Sequence, residues 1–440
     1  MKKFVVPFFF FSVLLFADQV VLTDLFKRAV WRVVNTKEYA KIENQVMTLT
    51  DDRRYIGISA FGVFNRGSRI RVQVEARGSG KIKLGLFSYG QKIAQLWSDE
   101  FALTDTFTAY EFECEIPERA SKQINPVIQG AGEYRKLVVT HLFDPEYQLV
   151  ATPAYQMTSE SPQPITFTLY HQGKIVENAQ VIEQGQEAFH RESGATAYAW
   201  IDKGDTSKFD EAAKGIQLEK PVKILYLGDS LTHFDMGHNH VDKVGYFLNK
   251  YNPGKAEVFN YACGGDDIQR IVKRLEGDTS GKYGKRYQGL WSRNYDWAIV
   301  FLGHNDTKAS SAKQFKVPVI PPERQRKLYE DLLAKLKAQG VQRIILMSAS
   351  SSNVEVCRRN STKTERVHNR FGEPVHMEAF NEVLKELATK HNLEYLDVYE
   401  PMKALPDKAS LLNPNDGVHL TEAGHDFIAI ETLKFLNRKP

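Results

Sequence analysis

Val222-Lys223-Ile224-Leu225-Tyr226-Leu227 runs straight into Gly228-Asp229-Ser230-Leu231-Thr232, so a hydroxyl stands where an apolar segment breaks into a loop. A short run that is apolar at all but one position is expected of a strand covered on both faces. Toward the C-terminus the same kind of run recurs at 258–262, 297–302, 343–348 and 393–398. Helical spacing lies between these runs: 323–339 places Leu328, Leu332 and Leu336 four apart, and 375–391 sets Phe380, Leu384 and Leu387 on one side. Thr421 is placed to cap a closing helix that reaches about Asn437. Strand and helix in alternation predict a three-layer α/β domain with a parallel sheet over 220–440. In open sheets of this kind sites lie outside the carboxyl ends of the strands. Three motifs occupy that position: Gly228-Asp229-Ser230-Leu231, Asn260-Tyr261-Ala262-Cys263-Gly264-Gly265 and Gly303-His304-Asn305-Asp306. A fourth, Asp416-Gly417-Val418-His419, follows in the turn-rich segment after Asn413-Pro414-Asn415.

These residue types together describe acyl transfer. A serine hydroxyl is a weak nucleophile until a base takes its proton, and the base needs a partner that fixes its tautomer and stabilises the imidazolium. Ser230 is the candidate nucleophile, His419 the base and Asp416 its partner, the spacing of three letting one short loop present both side chains. A tetrahedral oxyanion needs preorganised donors. The backbone N–H groups of Ser230 and Gly265 and the side-chain amide of Asn305 are assigned to it. Gly264 could supply the second amide in place of Gly265, which is preferred by its spacing from Asn260. Asp306 is read as bracing the loop that aims Asn305.

The ordered set Gly-Asp-Ser-Leu, Gly, Gly-x-Asn-Asp and Asp-x-x-His resembles the SGNH, or GDSL, hydrolase superfamily, whose four letters fall on Ser230, Gly265, Asn305 and His419. The resemblance implies a flavodoxin-like sheet and serine-dependent hydrolysis of esters or thioesters, with no metal or other cofactor.

Upstream the pattern changes. Arg69-Ile70-Arg71-Val72-Gln73-Val74-Glu75-Ala76 and Tyr110-Glu111-Phe112-Glu113-Cys114-Glu115-Ile116 alternate with period two, and Gly78-Ser79-Gly80 supplies a turn. Residues 18–146 are therefore expected to form an all-β sandwich, with 147–219 a β-rich connector. The run of strands, with Gly-Ser-Gly, Leu103-Thr104-Asp105-Thr106-Phe107 and Ile116-Pro117, resembles the jelly-roll carbohydrate-binding modules. That resemblance would let Tyr89, Trp97 or Tyr134 serve as a platform for sugar rings, although each taken singly is expected to be a core or edge aromatic.

Met1-Lys2-Lys3, the apolar stretch 4–16 and Ala17-Asp18 have the charged and apolar parts of a secretory signal over 1–17, although Leu15 is large for the approach to a cleavage site. The apolar run is shorter than the ~20 residues of a spanning helix. A secreted or periplasmic protein without stable membrane insertion is the expectation. A formal charge of +4, from 58 basic and 54 acidic residues spread along the chain, argues against a nucleic-acid partner. Cys114, Cys263 and Cys357 are odd in number and are read as free, buried thiols, a Cys263–Cys357 bridge being the other possibility.

Two stretches near the strand ends read as insertions: 277–294, with Lys282, Tyr283, Lys285 and Arg286, and 357–370, rich in Arg and Lys. They are expected to be solvated loops or, failing that, a basic rim for anionic substrates. The segment from His233 through Asp235, His238 and His240 has several metal-ligating types, but at no standard spacing, and is read as a pocket wall. The expected substrate is an acylated, above all O-acetylated, oligo- or polysaccharide. The alternatives are a lipase, lysophospholipase or thioesterase within the same superfamily and, outside it, a non-catalytic glycan-binding protein.

Overall fold

The computed structural model describes residues 21–22, 40–44, 46–52, 55–57, 62–63, 68–88, 95–116, 123–144, 146–233, 237, 239–280, 283–362 and 367–438. The expected signal segment 1–17 and Tyr89 lie outside them. The chain divides into two compact units, one made of the residues up to Ala154 with Pro164–Ala199, the other of Tyr155–Gln163 with Trp200–Pro440.

The second unit is built on a five-stranded parallel sheet. Its strands are β1 (Val222–Gly228), β2 (Ala256–Asn260), β3 (Trp297–Phe301), β4 (Arg343–Met347) and β5 (Glu394–Leu396), in the spatial order 2-1-3-4-5. Alternate residues of each strand serve opposite faces. Ile224, Tyr226, Ile299 and Phe301 join one core with Val244 and Phe247 of helix α1 (His240–Tyr251) and Ile428 and Leu433 of the closing helix Glu422–Leu436. Leu225, Leu227, Ala298 and Val300 join the other with α2 (Ile268–Leu275), α3 (Pro322–Ala338) and Pro374–His391. The expected leucines behave accordingly: Leu332, Leu336, Leu384 and Leu387 are buried with Phe380, while Leu328 packs at the edge. Thr421 caps the closing helix, accepting the Gly424 N–H at 3.2 Å.

Two strands end two residues before their apolar runs do. After β2, Asn260 Oδ1 takes the Ala262 N–H at 3.1 Å and turns the chain. After β5, Asp397 Oδ1 takes the N–H groups of Tyr399 and Glu400, at 3.0 and 3.2 Å, and opens the helix Tyr399–Ala404. Local carboxylate and amide acceptors outbid the ladder at those two points.

The first unit holds two larger antiparallel sheets. One runs Thr108–Glu115, Arg69–Arg77, Gly132–Leu142, Val46–Leu49, Ala40–Glu43. The other runs Tyr55–Gly57, Gln123–Gln129, Lys81–Ser88, Gln95–Trp97. Ile70, Val72 and Val74 from the first share a core with Ile82, Leu84 and Leu86 from the second. On the outer face of the first sheet, cross-strand pairs such as Arg77 with Glu133 at 2.6 Å and Arg135 with Glu75 at 2.6 Å alternate with that core. The expected connector 147–219 is split. Three-stranded sheets over Tyr147–Ile175 and Val181–Tyr198 belong to the first unit, whereas Tyr155–Thr158 pairs in parallel with Trp200–Lys203 in the second.

Of the aromatics offered as sugar platforms, Tyr134 is core, in line with the expectation for any one of them. It is fully buried, its hydroxyl donating to the Gly130 carbonyl at 2.6 Å. Trp97 packs edge-on against Phe87, ring centres 5.1 Å apart. All three cysteines are free, Cys263 and Cys357 buried and Cys114 half-buried, so the alternative bridge is not formed. Burial pushes the Cys263 thiol up to about 12 and that of Cys357 up to about 11. Among the described residues no helix is long and apolar enough to cross a membrane.

Candidate active site

β1 sits at the switch point of the sheet, where the strand order reverses, and Ser230 lies just past its carboxyl end. Asp229 shapes the turn: its Oδ1 accepts the Leu231 N–H at 2.9 Å and its carbonyl accepts the His233 N–H at 2.9 Å. The end of β2 is docked onto this loop. Cys263 N–H donates to the Gly228 carbonyl at 3.0 Å, and Asn260 Nδ2 donates to the Thr232 carbonyl at 2.7 Å.

The expected nucleophile and base meet. His419 Nε2 lies 3.0 Å from Ser230 Oγ, and His419 Nδ1 lies 3.0 Å from Asp416 Oδ2. Asp416 Oδ1 accepts the N–H groups of Val418 and His419, at 2.8 and 2.9 Å. Partial burial alone would raise its carboxyl, but those two N–H groups and the imidazole together hold it below the usual carboxylate value. Both oxygens are thus committed, and the ring orientation that follows puts a proton on Nδ1 and leaves Nε2 to accept.

The loop carrying Asp416 and His419 is braced by α4 (Val354–Ser361). Asn353 N–H donates to the Gly417 carbonyl at 2.8 Å, Asn360 Nδ2 to the Asn415 carbonyl at 2.6 Å, and Cys357 Sγ to the Asp416 carbonyl at 3.5 Å. Gly417 has φ +74° and passes so close that a β-carbon would sit 2.7 Å from the Asn353 carbonyl oxygen, which only glycine permits. Of 357–370, expected as a solvated loop or basic rim, residues 357–361 end a helix, 363–366 lie outside the described residues, and Arg358 and Arg370 pair with Glu373, at 2.8 and 3.2 Å, rather than standing as free cations. Within 277–294, Arg286 donates to the Asn260 carbonyl at 2.8 Å and Tyr283 stands edge-on to His233 at 4.6 Å, so this stretch walls the site as well. Lys282 lies outside the described residues.

The two glycines differ in what their amides meet, and His233 makes the difference. Its Nδ1 accepts the Gly264 N–H at 2.9 Å, so that amide is occupied. The N–H of Gly265, at φ +84°, and that of Ser230 have no partner among the described residues. Asn305 stands near Asp229, Nδ2 to Oδ2 3.4 Å. Asp306 braces the loop of Asn305 from the side of α2: its Oδ1 accepts the Ile268 N–H at 2.9 Å and ties the third motif to the start of that helix. Burial pushes that carboxyl well above its ordinary range.

Other histidines are turned away from chemistry. His240 is fully buried against Tyr226 and Phe301, and burial pushes it down to about 3. His304 is buried with its Nε2 3.1 Å from Ser350 Oγ; burial, then the neighbouring His419, pushes it down to about 4. It stays neutral at physiological pH. Residues 234–236 and 238 lie outside the described ones, and among the described residues no three candidate ligands gather as a metal group.

Asp229 went unassigned in the sequence although it adjoins the nucleophile. It is buried, and desolvation pushes its carboxyl up from 3.8 to about 6, against the opposing Leu231 N–H. A carboxyl raised on folding binds its proton more tightly in the native state, so stability present below pH ~4 is lost as pH rises through about 6. The Asp229→Asn variant is expected to lack that loss. Between pH 4 and 7 the wild type should lose roughly 3 kcal/mol of unfolding free energy relative to the variant, read by urea denaturation at each pH. Parallel pH curves for the two proteins would refute this.

Residues 226–427 match the family model of the GDSL-like Lipase/Acylhydrolase family. Among solved structures, the chain is similar to the lipase/acylhydrolase from Enterococcus faecalis, at 20% identity and TM-score 0.37 over 49% of this chain and 95% of that one. It is also similar to Axe2, an acetylxylan esterase from Geobacillus stearothermophilus, at 21% identity and TM-score 0.37 over 50% and 96%. No curated protein matches the chain.

Proposed function

We propose that this chain, whose residues 226–427 are a GDSL-like lipase/acylhydrolase domain, is an exported serine esterase that removes short acyl groups, chiefly acetyl, from hydroxyls of oligo- or polysaccharides. The observation that carries the esterase reading is the continuous relay from Ser230 Oγ through His419 to Asp416, with 3.0 Å at each step.

In this reading Ser230 Oγ attacks the ester carbonyl carbon while His419 Nε2 takes the hydroxyl proton, and Asp416 stabilises the imidazolium. The carbonyl oxygen becomes an oxyanion held by the N–H groups of Ser230 and Gly265 and the amide of Asn305. Collapse breaks the bond to the alcohol oxygen, which leaves with the proton from His419. Water then attacks the acyl-serine, giving its proton to the same imidazole, and the second collapse releases the acid and restores Ser230. Every proton moves on His419, so no metal is called for.

The acyl and alcohol parts rest on lesser supports. The residues around the nucleophile loop are polar: His233, Tyr283, Arg270 and Lys308. Such a mouth suits a small acyl group on a hydroxyl-rich alcohol better than a long alkyl chain. The signal-like N-terminus and the all-β unit agree with work on extracellular glycan.

A fluorophosphonate probe is expected to add once per chain, on Ser230, as located by peptide mass. Acetate should be released from acetylated polysaccharide, and p-nitrophenyl acetate should be cleaved in preference to the palmitate. Modification elsewhere, or none, would overturn the serine mechanism. Preference for the long chain would move the assignment to a lipase.

A further inference from the structure

Lys308 is a half-buried cation with no carboxylate within salt-bridge distance among the described residues. Its Nζ lies 3.4 Å from Asn305 Oδ1, and 5.7 Å from the ring centre of Phe371. On the other side of the same amide, Asn305 Nδ2 lies 3.4 Å from Asp229 Oδ2. Asn305 itself is only 6% exposed.

An amide can be turned end for end with little change in shape, and the two orientations differ only in hydrogen bonding. Here the neighbours choose. An ammonium only donates and a carboxylate only accepts, so the reversed amide would set NH2 against NH3+ and a carbonyl against a carboxylate. We propose that Lys308 is a positioning residue of the oxyanion pocket, donating to Asn305 Oδ1 so that Nδ2 stays turned toward Asp229 and the developing oxyanion. This rests on the esterase reading above. A cation on the carbonyl end also draws electron density from the amide, which makes the N–H at its other end a better donor to an anion.

The cation is tuned by what surrounds it. Burial, opposed by Asp267, holds the Lys308 ammonium below the usual lysine range, with Arg270 lowering it and Asp306 and Asp229 raising it. Above that pH the neutral amine donates more weakly, and the amide is less firmly held.

The test compares wild type, Lys308→Met and Lys308→Arg on p-nitrophenyl acetate, with thermal melting to follow the fold. Complete loss of an oxyanion donor costs about 10²- to 10³-fold in kcat, so loss of the group that only holds it should cost about tenfold. KM should move less than twofold. Lys308→Arg, which keeps a permanent cation, is expected to recover kcat to within about threefold. The kcat profile of wild type should fall on the alkaline side below the usual lysine range, and both variants should lack that limb. A Lys308→Met enzyme with wild-type kcat would overturn the proposal, as would equal impairment of the Met and Arg variants. So would an effect confined to KM for anionic esters, which would make Lys308 a substrate contact. If wild type neither cleaves the ester nor takes up fluorophosphonate, it is the esterase reading that fails.

Discussion

Replacing Ser230 with alanine is expected to lower kcat for p-nitrophenyl acetate by roughly 10⁵- to 10⁶-fold, the scale seen when the nucleophile of a serine triad is removed. Among the described residues no other hydroxyl is hydrogen-bonded to His419. Ser350 Oγ is bonded to His304, a neutral buried imidazole, and not to His419. The fold should be unaffected, since the Ser230 side chain is half-exposed and its bond is the one to His419. Unchanged thermal melting together with lost activity and lost fluorophosphonate uptake is the expected result. Activity above about a hundredth of wild type would place the nucleophile elsewhere.

The Asp416→Asn variant is expected to lose about 10⁴-fold in kcat while keeping its loop. The amide oxygen can replace Oδ1 and go on accepting the N–H groups of Val418 and His419. Its NH2 would then face Nδ1 of His419, which lies 3.0 Å from Oδ2. A ring that accepts at Nδ1 carries its proton on Nε2 and can no longer take one from Ser230. The acid limb of kcat/KM in wild type should not reflect Asp416, whose carboxyl is held below its ordinary value. The support that Asp416 lends to folding is present above the ordinary carboxylate pKa and is lost as pH falls through that lowered value. A variant retaining a tenth of wild-type kcat would show that the partner carboxylate is dispensable here.

Much of the site was legible because its chemistry is local in sequence. Ser230 follows an apolar strand, Asn305 follows another, and Asp416 and His419 share one loop, so a reader of strand ends meets each in turn. Residues that act sideways on these groups were not legible. Nothing in Gly-His-Asn-Asp-Thr-Lys marks Lys308 as the neighbour of Asn305 Oδ1, for the contact depends on how a four-residue helical turn, His304–Thr307, rotates the chain. The brace at Asp416 was misread for a related cause. Arg358 and Arg370 look like a free basic cluster until Glu373 is brought between them. Tyr134 marks a further limit: a period-two pattern tells which residues share a face, but an aromatic on the inner face reads the same whether it lines a core or a binding surface, and burial makes it core.

Sequence alone supplied the five strands and three of the helices of the second unit, the all-β character of the first, and the candidates for nucleophile, base and partner carboxylate. Each follows from periodicity along the chain or from the few side chains able to do acyl chemistry. Only the tertiary structure distinguished Gly264 from Gly265, because the difference is which N–H is already taken, and His233 Nδ1 takes the first from 31 positions away. It likewise decided the orientation of Asn305 and the state of the three thiols. Hydrogen bonds are satisfied between groups close in space, and a linear pattern does not record which donors folding has already used.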